Sequence, residues 1–272
     1  MKRIPIALTV AGSDSGGGAG LQADLKTFAI LGVHGTTVLS CLTAQNPVSV
    51  AAFHSIPVSF VRAQLETVFA ELPPVAAKTG MLYSAAIIRA VADWFSQHPE
   101  VKLVIDPVMI ATSGTVLLRP TALRVLQDRF LPLAAVVTPN LDEAAALLGR
   151  PLRSVEDLSL AARGIHGRWG VPTLIKGGHL RDTPLATDVF WDGRQERILA
   201  APFIRDVATH GTGCTYSAAI TACLAHGDSL LQAVSTAKLH ITGAIRSSLR
   251  IANHTTLNPS YDLDSVTASR GR

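Results

Sequence analysis

Two glycine-rich segments stand out as places where backbone N–H groups can approach a ligand closely. The first runs Gly12-Ser13-Asp14-Ser15-Gly16-Gly17-Gly18-Ala19-Gly20 and matches neither GxxxxGK[ST] nor a complete GxGxxG. Its glycines are read as admitting a flat ligand or bending the chain sharply into a helix. The second, His210-Gly211-Thr212-Gly213-Cys214-Thr215, precedes a run of mostly small residues over 216–222 that reads as a helix. Free N–H groups at such a helix start bind phosphate oxygens without any basic side chain. A thiol in that first turn is expected to have a lowered pKa, suited to proton acceptance or nucleophilic attack. Cys41 and Cys223 are read as buried structural thiols. Asp106 ends an apolar strand before Pro107, where a carboxylate either faces Mg²⁺ or forms a turn. Asn140-Leu141-Asp142-Glu143 has N-x-x-E spacing, which a helix cap alone would explain. The 9 histidines show no HExxH-like spacing, so no protein-held transition metal is expected.

These groups need elements to hold them. Short β-branched runs alternate with segments of helical period, the pattern of α/β architecture with a mostly parallel sheet and helices on both faces. Strands are expected over 4–11, 36–43, 50–56, 75–79, 101–105, 134–138 and 173–176. Helical periodicity begins at Leu21, Leu25 and Phe28, to be closed by Gly32, and returns over 60–72, 85–95 and Leu141–Leu148. Asp192-Gly193 predicts a tight hairpin between strands 188–191 and 195–199. Two helices should follow, over Thr212–His226 and about 229–248. Ligands of an open parallel sheet collect outside the strands' carboxyl ends. Asp14, Gln45-Asn46, Thr79-Gly80-Met81, Asp106, Thr138-Pro139-Asn140 and Lys176-Gly177-Gly178 all fall there, which favours one shared site over scattered turn residues.

Composition sets the frame. The 272 residues are 48% hydrophobic and 16% charged, enough apolar material for a substantial core and too much for intrinsic disorder. Net charge is +4, but the 24 Lys and Arg are scattered without a run, so small anionic ligands are favoured and nucleic acid is not expected. The 3 cysteines make neither an even set nor a CxxC pair, which suits a reducing compartment. Pro5 interrupts the apolar run after Met1-Lys2-Arg3, and a glycine loop stands where a cleavage site would fall, so the start reads as a strand and not a signal. No apolar run reaches membrane-spanning length. A cytoplasmic protein with no membrane partner is expected, its single domain covering 1–250 and a polar C-terminal tail covering 251–272.

Together these residues resemble the ribokinase superfamily, specifically its branch of hydroxymethylpyrimidine/phosphomethylpyrimidine kinases of thiamine biosynthesis. The resemblance covers nearly the whole chain. It is carried by Ala11-Gly12-Ser13-Asp14 through Gln22-Ala23-Asp24-Leu25-Lys26-Thr27, then Thr43-Ala44-Gln45-Asn46, Lys78-Thr79-Gly80-Met81, Asp106-Pro107-Val108-Met109, Thr138-Pro139-Asn140, Lys176-Gly177-Gly178-His179 and Thr209 to Thr215, in the family's order. It implies a ribokinase-like three-layer α/β sandwich that phosphorylates 4-amino-5-hydroxymethyl-2-methylpyrimidine, and then its monophosphate, from ATP. It also implies a homodimer. By resemblance, the pyrimidine sits among Gly12, Asp24, Gln45, Met81 and Val108, with Cys214 near its hydroxymethyl group as proton acceptor. Gly211, Thr212, Gly213 and Cys214 would form the anion hole, Asp106 and Glu143 would orient Mg²⁺, and Asn140, Lys176 and Lys238 would lie near the nucleotide.

Two stretches depart from the family. Thr112-Ser113-Gly114-Thr115 stands where relatives commonly have Lys-Ser-Gly-Asp, which removes a phosphate-facing Lys, and the frequent Gly-Pro-His ending is replaced by the polar tail. The alternative on the same scaffold is a pyridoxine or pyridoxal kinase, against which Gln45 argues. More distant alternatives are a cysteine hydrolase pairing Cys214 with His210 and a noncatalytic pyrimidine sensor.

Overall fold

The computed structural model describes residues 3–109, 118–178, 180, 184–205, 207 and 209–261. Within them the chain runs β1 (Ile6–Ala11), α1 (Gly20–Ile30), β2 (His34–Leu39), β3 (Cys41–Gln45), β4 (Val50–Ser55), α2 (Val58–Glu71), β5 (Ala76–Thr79), α3 (Ala85–Ser96) and β6 (Lys102–Ile105). Then follow α4 (Pro120–Val125), β7 (Val136–Val137), α5 (Leu141–Leu148), α6 (Val155–Trp169), β8 (Thr173–Ile175), β9 (Leu185–Trp191), β10 (Glu196–Pro202), α7 (Thr212–His226) and α8 (Leu230–Arg246). A small hairpin, β11 (Leu249–Ile251) and β12 (His254–Thr256), comes last.

Eight strands form one sheet in the order β10-β9-β8-β7-β6-β5-β1-β2, parallel from β2 to β8 and antiparallel at β9 and β10. The two-residue period of a strand sorts its side chains between two cores. Leu8, Val10, Leu103, Ile105, Val137, Ile175 and Val189 pack into one cluster, with residues of α2 through α6. Their neighbours Ala7, Val104, Val136, Leu174 and Phe190 pack into the other, with α1, α7 and α8. The three-layer α/β expectation therefore holds. α7 is buried nearly all round, at Tyr216 and at Ala218, Ala219 and Ala222 among others, because it lies between the sheet and α8. Small residues let those layers approach closely.

Several elements differ from expectation. The strand expected over 36–43 is two, divided at Ser40, whose hydroxyl donates to Met81 O (2.6 Å) and whose N–H donates to Ala11 O (3.0 Å). β2 joins the main sheet, while β3 pairs antiparallel with β4 in a separate flap (Cys41↔Ser55, Thr43↔Phe53). The hairpin between β9 and β10 closes through the four residues 192–195, with positive φ at Gly193 alone (97°) and with the Asp192 side chain accepting from the Arg194 and Gln195 N–H groups (2.8 Å each). Residues 251–261, assigned above to a polar tail, carry β12, bury Leu257 and Asn258, and bring the Tyr261 ring against Gly243. Residues 262–272, His179 and the Thr112 to Thr115 stretch lie outside the described residues.

Candidate active site

The carboxyl ends of the parallel strands open into a cavity of about 710 Å³, a volume typical of small-molecule sites. Gly12 after β1, Gln45 at the end of β3, Met81 after β5, Val108 after β6 and the loop before α7 all line it, as do Asp106, Asn140, Glu143, Lys176 and Lys238. A Cβ at Gly12 would stand 2.8 Å from both Cys41 Sγ and Met81 Cε, so the floor there has no room for a side chain.

Gly211 caps α7 with φ +82°, and a Cβ on it would collide with the Gly18 carbonyl. The two glycine loops thus touch. Of the four residues expected to form an anion hole, Thr212 has both donors engaged by Thr209 O, the N–H at 3.1 Å and the hydroxyl at 2.7 Å. A Cβ at Gly213 would lie 3.2 Å from Lys176 Nζ and 3.6 Å from Asp106 Oδ2. The helix start therefore faces a charged pair. Cys214 departs from expectation: burial pushes its thiol up to about 11, against the attraction of Lys78, with Asp24 and Asp106 adding to the rise. Loss of water outweighs the opposing Lys78 charge and Gly20 N–H, which favours the protonated thiol.

Asp106 is held by Lys176 Nζ at 2.8 Å, Ser217 Oγ at 3.3 Å and Thr138 Oγ1 at 3.4 Å. Asn140 and Glu143 form a complete capping box: the Asn140 side chain accepts from Glu143 N–H (2.9 Å) and Glu143 Oε2 accepts from Asn140 N–H (2.8 Å). Burial pushes the Glu143 carboxyl up to about 7, with Lys176 opposing and Asp106 reinforcing the rise. No group of three or more His, Cys, Asp or Glu able to hold a metal occurs among the described residues. Two carboxylates are what Mg²⁺ uses when substrate phosphates and waters complete its octahedron, so Asp106 and Glu143 fit a cation that arrives with a polyphosphate. Lys238 lines the cavity with its charge already paired, to Asp188 Oδ2 (2.8 Å) and Ala186 O (2.9 Å).

Asp24 is the one expected site residue that the cavity leaves out. It is fully buried between α1 and the sheet, bonded through one oxygen to Lys78 Nζ and through the other to Thr9 Oγ1, both at 2.7 Å. Thr9 and Lys78 are register partners on β1 and β5. Burial favours loss of the Lys78 proton, but Asp24 overrides it and Lys78 stays charged. A charged amine so deep in the fold requires a carboxylate beside it, which is what Asp24 supplies in place of a ligand contact.

Sequence reading assigned no role to Asp14 beyond its place at a strand end. Its buried carboxylate accepts from the N–H groups of Gly16 (2.8 Å), Gly18 (3.1 Å) and Ala19 (2.8 Å) and lies 3.0 Å from His210 Nε2. Burial opposes ionisation, yet the His210 contact and these N–H donors hold the carboxyl below its usual range. His210 Nε2 is also 3.3 Å from Gln45 Nε2. The His210 nitrogen resolved in contacts thus serves Asp14 and Gln45, while Cys214 accepts from Gly20 N–H, so the hydrolase pairing gains no support.

A mostly parallel α/β sheet with a glycine-opened helix start aimed at a Lys–Asp pair suits a phosphotransferase acting on a small molecule. The family model described as phosphomethylpyrimidine kinase matches residues 14–258. The chain belongs to that family. It is 47% identical over 248 residues to the hydroxymethylpyrimidine/phosphomethylpyrimidine kinase of Synechococcus elongatus, covering 91% of this chain and 94% of the relative. It is 46% identical to the thiamine biosynthesis bifunctional protein ThiED of Geobacter sulfurreducens, covering 88% of this chain but spanning only 49% of that longer relative. Among solved structures, the ADP complex of Bacillus subtilis pyridoxal kinase superposes with a TM-score of 0.89 at 38% identity, covering 96% of this chain and 99% of that one.

Proposed function

We propose that the protein transfers the γ-phosphoryl group of ATP to the hydroxymethyl oxygen of 4-amino-5-hydroxymethyl-2-methylpyrimidine and then phosphorylates the monophosphate to the diphosphate, as a step of thiamine biosynthesis. One observation carries the chemistry: the start of α7 meets the Lys176–Asp106 pair, with the Gly213 Cβ position 3.2 Å from Lys176 Nζ. Phosphoryl transfer passes through a loose transition state, so fixed donors and charge outweigh the general base. The N–H groups of Gly211, Gly213 and Cys214 receive the transferring group's oxygens, and Lys176 meets their charge. Cys214 sits beside the acceptor hydroxyl mainly as a neutral thiol, which has no site for another proton, so only its minor thiolate form takes the hydroxyl proton, late, when oxygen–phosphorus bonding has made that proton acidic. Mg²⁺ bound with the nucleotide would neutralise phosphate charge, held by Asp106 and Glu143. Asn140 and Lys238 border the nucleotide, while Gln45, Met81, Val108 and Gly12 enclose the pyrimidine.

The relatives named for pyrimidine phosphorylation are the more similar in sequence, and Gln45 supports the same choice. The fold likeness to a pyridoxal kinase keeps that activity as the second reading. Mass spectrometry of products after incubation with Mg-ATP and each alcohol separates them. Mono- and diphosphate of the aminopyrimidine support the reading, and pyridoxine phosphate alone overturns it. The reading includes one kinase domain that extends past residue 250 to take in the packed residues 251–261, and a cytoplasmic homodimer, which light scattering and cell fractionation test. No described helix is long and apolar enough to cross a membrane.

A further inference from the structure

The contact between His210 and Gln45 contains a conflict that identifies a second role. Asp14 has both carboxylate oxygens occupied by backbone donors and is 2% exposed. An ionised carboxylate only accepts. The His210 Nε2 that lies 3.0 Å from Asp14 Oδ2 must therefore carry the hydrogen of that contact. Gln45 Nε2, also a donor only, stands 3.3 Å from the same nitrogen. Two donors then face one another with no acceptor between them. The amide oxygen and nitrogen of Gln are interchangeable by a half-turn, and the hydrogen-bond network decides between them.

The backbone of Gln45 cannot move to relieve this conflict. Its N–H donates to Ser15 Oγ and its carbonyl accepts from the same hydroxyl, each at 2.7 Å, so the end of β3 is clamped to the first glycine loop. A Cβ on Gly18 would stand 2.9 Å from His210 Cδ2, so that loop also lies close against the imidazole. The rotation of the amide is the remaining freedom. With the oxygen turned to His210 it shares the Nε2 hydrogen and keeps its second lone pair, while the NH₂ group turns to the cavity that Gln45 lines.

We propose that His210, fixed by Asp14, is a positioning residue that orients the Gln45 amide, presenting its NH₂ group to the cavity so that the site selects a ring edge that sets an acceptor beside a donor. This inference rests on the pyrimidine kinase reading and deepens it. A pyrimidine ring nitrogen beside an exocyclic amino group meets the NH₂ with its lone pair and the amide oxygen with its own N–H. A ring edge with an acceptor but no donor beside it, such as the ring nitrogen of pyridoxine, engages the NH₂ alone and makes half the use of the oriented amide. The Asp14–His210–Gln45 series thus links the loop that receives phosphate to the group that reads the ring.

The test is a double-mutant cycle of His210→Phe and Gln45→Met, with kcat/KM measured for the aminopyrimidine alcohol and for pyridoxine. His210→Phe is expected to lower kcat/KM for the aminopyrimidine alcohol roughly 3- to 10-fold, the scale of one neutral hydrogen bond, mainly through KM. Pyridoxine should change less, and in the Gln45→Met background the second substitution should add nothing. Multiplying losses, or equal losses on both alcohols, would overturn the inference while leaving the pyrimidine kinase reading intact. A wild-type enzyme that phosphorylates only pyridoxine would overturn that reading and the ring-edge preference with it. Nitrogen-15 spectra of the ring-labelled wild-type protein give a check that needs no variant. The Nε2–H tautomer of His210 is expected, and the Nδ1–H tautomer would contradict the proposal.

Discussion

At the scale of residues, Gly213 and Cys214 carry opposite lessons. Gly213 lies in helical geometry without positive φ, so its requirement is space beside Lys176 and Asp106. Gly213→Val should fold yet lower kcat by about 10²–10³, the scale of one lost donor, because its side chain holds the transferring group off the N–H; steady-state kinetics on folded variant would show near-normal turnover if the assignment were wrong. Cys214 was legible as a helix-start thiol from its neighbours in sequence, but its half-buried surroundings were not, because the Gly20 N–H that meets it is almost 200 positions away. A thiol pushed up to about 11 holds on the order of 10²-fold less thiolate at pH 8 than a free cysteine of ordinary pKa. Iodoacetamide should therefore label Cys214 slowly in the ligand-free enzyme, with a rate that keeps rising to pH 11. Rapid labelling at pH 7 to 8, mapped by mass spectrometry, would restore the thiolate expected from the helix dipole.

At the scale of elements, Lys78 on β5, Thr9 on β1 and Asp24 on α1 join the sheet to the helix beneath the cavity. Removing one member leaves the other charged and buried, so Lys78→Met should cost roughly 3–5 kcal/mol. The double variant Lys78→Met/Asp24→Leu removes both charges at similar volume and should recover most of that loss. Urea midpoints of the two proteins test this, and equal destabilisation by single and double variants would refute the pairing argument. The same elements show where sequence reading stopped. Alternating strands and helices were visible from their periods. The break at Ser40 was not, since 36–43 holds no Gly or Pro and both halves read as strand; only the pairing of β3 with β4 separates them. α6 went unassigned although Ser154 and Asp157 form a capping box and Leu158, Ala161, Ala162 and Ile165 repeat at helical spacing. That signal was present and legible. Asp24 was misplaced for a different reason, since a motif fixes a residue's position in the chain but not which neighbour claims its carboxylate.

At the scale of the whole molecule, the two cores lie on opposite faces of one sheet, and the cavity draws walls from β1, the flap, β5, β6 and α7. Ligands that fill it should stabilise the protein as one unit. ATP analogue at 100 times its Kd contributes about 2.7 kcal/mol, or about 5–10 °C in Tm for a chain of this size. Calorimetry should show a single transition moving by that amount, and two transitions of which one alone shifts would contradict the single kinase domain. The contact of Asp14 with His210 has a further consequence, in time. Its members are 196 residues apart, and β1 lies inside the sheet between β2 and β5. A chain emerging from the ribosome holds its first glycine loop long before the second exists. The phosphate end of the site can close only after α7 has been synthesised, so the nascent protein spends most of its translation with β5 and β1 lacking the helix that covers them. Contacts of this sequence separation slow folding, and catalytic competence begins only once α7 has been made, not with the first half of the sheet.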